Sequence, residues 1–131
     1  MKTELLLKFV FEASHSLASY ETPHRHLWRL EMTVEGEPME GRILDMVILR
    51  ERIQKQIDPL NHIYLNEYPH TNAQVREFPT CETLSGFFTF ELQKILAEEF
   101  LSQNPTIKLT SVLVAICSID GTELGAVRLR P

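Results

Sequence analysis

The segment FEASHSLASYETPHRHLWRLEM, residues 11–32, decides how this chain is read. Both of its ends belong to alternating patterns. Before it and into it, the odd positions run Leu5, Leu7, Phe9, Phe11, Ala13 and His15, while the even ones include Glu4, Lys8, Glu12 and Ser14. Successive side chains of a strand point to opposite faces, so a period of two predicts a half-buried strand. A second alternation opens at His24. His24, His26, Trp28, Leu30, Met32 and Val34 share one face, and Arg25, Arg29, Glu31, Thr33 and Glu35 lie on the other. In both strands the histidines continue the apolar face. Three of the five histidines, His15, His24 and His26, are therefore expected to converge where the strands meet, with Glu21 in the connection between them.

Outward from this segment, EGEPMEG reads as a turn, after which Asp45 precedes Met46, Leu49, Ile53, Ile57 and Leu60 at helical spacing. That order predicts a helix capped by an aspartate and ended by Pro59. Residues 61–79 lose the pattern and are expected to form a loop of roughly 19 residues, long enough to suggest a functional loop. Thr80 can cap a second helix, whose apolar stripe is Leu84, Phe87, Phe88, Leu92, Ile95, Leu96 and Phe100. The β-branched run IKLTSVLVAICSI, then Asp120-Gly121, then TELGAVRLR, predicts a closing hairpin. The order ββααββ places the chain in the α+β class.

At 131 residues the chain can bury one core, whereas halves would be too small to fold comfortably, so a single domain spanning 1–131 is expected. The formal charge of −5 disfavours nucleic acid or an anionic membrane as a partner. No tract approaches the ~18 apolar residues that would span a bilayer. The opening MKTELLLKFVFEASH reads as a strand rather than an export signal, because Glu4 interrupts the apolar run and no small-residue cleavage site follows. Cys81 and Cys117 form neither a CxxC pair nor a disulfide framework, which points to a reducing, cytoplasmic setting.

Residues i and i+2 of a strand face the same way, so His24 and His26 can share one ion, with His15 arriving from the neighbouring strand. Three imidazoles suit Zn2+ and leave a fourth position open, the arrangement of a catalytic site. Spacing alone leaves the alternative open that these are hydrogen-bonded histidines on an apolar face.

A histidine ending FEASH, an HxH opening the second strand, GRILDMVIL before the first helix, LNHIYLN after it and PTCET opening the second helix occur in order. Together they resemble the 6-pyruvoyl-tetrahydropterin synthase family, which includes bacterial 6-carboxytetrahydropterin synthases of queuosine biosynthesis. The resemblance implies a tunnelling fold, a four-stranded antiparallel sheet with two helices on one face. It implies a catalytic zinc on His15, His24 and His26, and a pterin substrate, 7,8-dihydroneopterin triphosphate. It also implies subunits that pair edges into trimeric barrels and stack as a homohexamer, a dimer of trimers. Most members use a cysteine four residues before the HxH, where this chain has Tyr20. Instead, Glu21 lies three residues before His24, as in the branch that carries glutamate there and cleaves the side chain to 6-hydroxymethyl-dihydropterin.

The chain departs from the family at three points. Arg25 replaces the middle glycine of the HxH. Asn61-His62 stands where an Asp-His pair serves the acid relay. The pterin-anchoring glutamate has no fixed counterpart, with Asp120 and Glu123 both near the expected place. Thr80 and Glu82 keep the PTxE pattern of the pterin pocket. The catalytic expectation is thus Glu21, His62 and Asn61, and the substrate-binding expectation is Thr80, Glu82, Asp120 and Glu123. The expected activity is side-chain cleavage by a zinc lyase. Alternatives are 6-pyruvoyl or 6-carboxy product formation, or a non-catalytic pterin-binding or structural protein.

Overall fold

A computed structural model describes residues 1–18 and 20–131. Strands β1 (Thr3–His15) and β2 (His24–Gly36) pair antiparallel along their whole length, from Thr3↔Gly36 to His15↔His24. After β2 come helix α1 (Met46–Ile57), a 3-10 turn (Asp58–Leu60), a short helix α2 (Ala73–Glu77) and the long helix α3 (Cys81–Glu99). Strands β3 (Lys108–Cys117) and β4 (Glu123–Leu129) complete the antiparallel sheet in the order β1-β2-β3-β4.

The alternation of β1 and β2 builds one face of the core. Phe9, Phe11, Ala13, Trp28, Leu30, Met32 and Val34 are buried, and α1 covers them with Leu49, Ile53 and Ile57, α3 with Leu84, Phe88, Leu92 and Ile95. Burying each large apolar side chain contributes about 1.5–3 kcal/mol, so this face drives the fold. Phe11 stacks parallel to Trp28 at 6.3 Å between ring centres and meets Phe88 edge-on at 6.1 Å. These contacts bring α3 down on the histidine end of the sheet.

Helix boundaries follow from their caps. The Asp45 carboxylate accepts from the amides of Val47 and Ile48, and Thr80 exchanges hydrogen bonds with Thr83 in a capping box at the start of α3. Met46, expected on the buried face of α1, is exposed in its first turn, because the stripe that reaches the sheet begins at Leu49.

Residues 61–79 form the expected loop as far as Asn72, but a loop that is tied down by the sheet and ends in a short helix. His62 N–H donates to the Glu12 carbonyl (2.6 Å), Ser14 N–H to Ile63 O (2.9 Å) and Leu65 N–H to Ser14 O (2.9 Å), so the chain runs along the outer edge of β1. It then forms α2, capped by the Asn72 side chain on the Val75 amide. Edge pairing satisfies backbone groups that a free loop would leave to water.

The closing hairpin is as expected. Gly121 sits at φ +94°, a conformation glycine adopts without penalty, and Asp120 accepts from the Ser118 hydroxyl and from Thr122 N–H (2.9 Å).

Candidate active site

His15 and His24 are cross-strand partners at the last position of the β1–β2 ladder, and His26 is paired with Ala13 two residues on. By strand alternation all three imidazoles belong to the core-facing side of the sheet, with His15 and His26 against Trp28 and His24 half exposed beyond them. The His15 ring lies 5.1 Å from that of His26 and 5.1 Å from the Trp28 indole, and His24 lies 6.4 Å from His26.

Two of the three are oriented by carbonyls. His15 Nδ1–H donates to Pro79 O (2.8 Å), at the residue before the cap of α3, and His26 Nδ1–H donates to Cys117 O (3.1 Å), at the end of β3. In the neutral rings this leaves each Nε2 with a free lone pair. Only 6% of His15 is exposed, and burial pushes its pKa down against the opposing pull of the Pro79 carbonyl, with the imidazoles of His26 and His24 adding to the fall. A neutral imidazole with a carbonyl on its far nitrogen is the state a metal ligand needs.

The third ring is placed differently. His24 Nε2–H donates to Glu21 Oε1 (2.8 Å), and the other Glu21 oxygen accepts from Leu17 N–H (2.9 Å). The Leu17 amide first, and His24 second, hold the Glu21 carboxyl below the usual range, so it is an anion at neutral pH. As the rings stand, no group of three His, Cys, Asp or Glu side chains among the described residues is close enough to hold a metal ion. The donor chemistry nevertheless fits zinc: two Nε2 lone pairs are pre-aimed by carbonyls, and the half-exposed His24 can turn toward them from the surface.

Beside the loop that carries Glu21 opens a cleft of about 400 Å³, lined by Ser16, Leu17, Tyr64, Asn66 and Arg76 among others. Asn66 grips both backbone groups of Ser16, accepting from its N–H (2.9 Å) and donating to its carbonyl (2.8 Å). This clamp, which nothing in the sequence pattern announced, ties the 61–79 segment to the chain leaving His15.

The other expected site residues divide into two groups. Thr80 and Glu82 lie at the cap and in the first turn of α3, directly after the Pro79 whose carbonyl holds His15, although the Thr80 hydroxyl is engaged as the α3 cap. Cys81 beside them is buried, and desolvation, reinforced by the Glu82 charge, pushes its thiol up to about 11, far from a nucleophilic thiolate. Burial raises Cys117 as well.

The remaining residues stand apart from the three rings. Asp120 is held in its turn, where Ser118 and Thr122 bring its pKa down to about 2, and Glu123 pairs with Arg29. Asn61 and His62 sit on the outer edge of β1. The Asn61 side-chain Oδ1 accepts from Glu12 N–H (3.0 Å), His62 is exposed, and Arg25 pairs with the Glu12 carboxylate at 2.8 Å.

An antiparallel four-stranded sheet with helices on one face and histidines gathered at one end defines a protein of the tunnelling-fold class. Residues 4–115 match the 6-pyruvoyl tetrahydropterin synthase family, and the chain belongs to it. Among curated proteins it is similar to the dihydroneopterin monophosphate aldolase of Pyrococcus furiosus, at 26% identity over 98 residues, 73% of this chain and 80% of the relative. Its structure resembles the 6-pyruvoyl tetrahydropterin synthase of Caenorhabditis elegans, with a TM-score of 0.73, 13% identity and coverage of 100% of this chain and 96% of that one. It also resembles a catalytic-residue mutant of the Plasmodium vivax 6-pyruvoyltetrahydropterin synthase, with a TM-score of 0.69, 16% identity and coverage of 100% and 99%.

Proposed function

We propose that the chain, acting as one domain, is a zinc-dependent lyase that cleaves the side chain of a 7,8-dihydroneopterin phosphate ester to release 6-hydroxymethyl-dihydropterin. The observation that carries this reading is the Glu21 carboxylate, ionised and hydrogen-bonded to His24 at the mouth of the histidine array. His15, His24 and His26 would hold the ion. What zinc supplies when bound is Lewis acidity toward the side-chain hydroxyls, lowering their pKa toward the reach of a carboxylate.

Glu21 takes the proton of the second side-chain hydroxyl. The electron pair of that O–H becomes the carbonyl of a departing aldehyde, and the adjacent carbon–carbon bond breaks with its electrons passing into the dihydropterin ring system. A proton must then reach the carbon that keeps the first hydroxyl, and His62 is the imidazole offered for that delivery. Because His62 stands on the outer edge of β1, away from the three histidines, it serves a site that lies at a boundary between copies of the chain. An assembly of trimeric barrels stacked as a homohexamer provides such boundaries, in a cytoplasmic enzyme. The name of the Pyrococcus furiosus relative supports carbon–carbon cleavage and adds the monophosphate to the triphosphate as a substrate to be tried.

A second reading, pterin binding without turnover, is favoured by one observation: Asp120 and Glu123, the carboxylates expected to anchor the pterin, are both engaged by neighbours. Incubating zinc-loaded protein with dihydroneopterin triphosphate and monophosphate, and weighing the products, separates the readings. Release of 6-hydroxymethyl-dihydropterin supports cleavage. A pyruvoyl or carboxy product refutes it, and recovery of unchanged substrate bound to protein supports the second reading.

A further inference from the structure

Glu12 occupies a position that backbone pairing does not require. Its N–H and C=O are both spoken for, by Asn61 Oδ1 and His62 N–H, and its carboxylate is left to face two cations or potential cations. One oxygen accepts from Arg25 Nε at 2.8 Å; the other lies 3.9 Å from His62 Nδ1. Asn61 precedes His62, but its side chain is committed to the β1 backbone and does not orient the ring. His62 itself is held at φ +66°, left-handed for a residue with a Cβ, while 74% of its side chain is exposed. An exposed side chain gains little from burial, so strain maintained there by the His62 N–H bond to Glu12 O, beside the Asn61 side-chain bond to Glu12 N–H, points to a ring kept in place for use.

We propose that Glu12 is the positioning residue of His62, the carboxylate that fixes its tautomer and the orientation of its ring. This rests on the proposed cleavage, in which His62 returns a proton to carbon. With Glu12 accepting from Nδ1–H, the proton transferred is the one on Nε2. The imidazolium gives that proton up, the electron pair of the N–H bond stays on nitrogen, and the neutral ring is left as the Nδ1–H tautomer that the carboxylate already prefers. Closing the gap from 3.9 Å needs only a side-chain adjustment, as is common before substrate is bound. Arg25 shares the carboxylate without competing for the oxygen that faces the ring.

The test compares wild type with Glu12→Ala and Arg25→Ala, because both variants lose the Arg25 ion pair but only the first loses the carboxylate facing His62. The backbone bonds of residue 12 survive in each, so the edge should stay folded. Long-range nitrogen–proton spectra of the ring should show His62 as the Nδ1–H tautomer in wild type and Arg25→Ala, and lose that preference in Glu12→Ala. With dihydroneopterin phosphate, kcat should fall by roughly 10-fold or more in Glu12→Ala with KM within about twofold, the scale on which an orienting partner acts. Unchanged ring signals in Glu12→Ala would overturn the proposal, as would an equal loss of kcat in Arg25→Ala. If wild type turns over no pterin, the cleavage reading falls, and the ring spectra still decide the role of Glu12.

Discussion

At the scale of single residues, Glu21 carries the sharpest consequence. Its carboxylate bonds Leu17 N–H and His24 Nε2–H, so Glu21→Gln keeps an oxygen for one of these donors and removes the basicity. Fold and bound zinc should persist while turnover drops by ~10²-fold or more, the usual effect of losing a general base; a variant as fast as wild type would make Glu21 a loop residue. The histidines predict differently. Purified protein should carry about one zinc per chain, and His24→Ala with His26→Ala should abolish it, because the single imidazole left binds weakly. Metal analysis by mass spectrometry reads this directly, and full retention would remove the site. The meeting of the three histidines was legible because strand periodicity fixes which face each side chain takes. The pairing of Glu12 with Arg25 and its approach to His62 were not. They join residues far apart in sequence, through a register that no local pattern encodes.

At the scale of elements, caps and apolar periods were readable, whereas backbone pairing along an edge was not. Asp45 and Thr80 announce α1 and α3 because a side-chain oxygen before an apolar stripe has one structural use. The 61–65 segment joins β1 through main-chain bonds, which leave no side-chain signature, and α2 is too short at five residues to display a helical period. Thr80 links an element to the site. Its cap fixes the first turn of α3 and with it the Pro79 carbonyl that holds His15. Thr80→Ala should cost about 1 kcal/mol, seen as a melting temperature lower by about 3–5 °C. Zinc affinity should weaken along with it, because the His15 ring loses its fixed acceptor. Stability lost with affinity unchanged would show that Pro79 is placed by something other than the cap.

At the scale of the whole molecule, the four-stranded sheet has edges at β4 and along the part of β1 that residues 61–65 do not cover, and β4 bears exposed Leu124 at its start. Unpaired edges favour association, so the protein should sediment and scatter light as an assembly larger than a dimer at micromolar concentration. A monomeric mass would leave His62 without a neighbouring site to serve. None of the described helices is long and apolar enough to cross a membrane. The left-handed backbone at His62 finally sets two kinds of selection against each other. Glycine there would relieve roughly 1 kcal/mol of conformational strain, less its own entropy in the unfolded chain. A screen that ranks variants by heat resistance should therefore accept His62→Gly as neutral or better, while one that ranks them by product formed should discard it. Position 62 is where the two rankings should part, and the size of that disagreement measures how much durability the protein gives up to keep an imidazole on its rim.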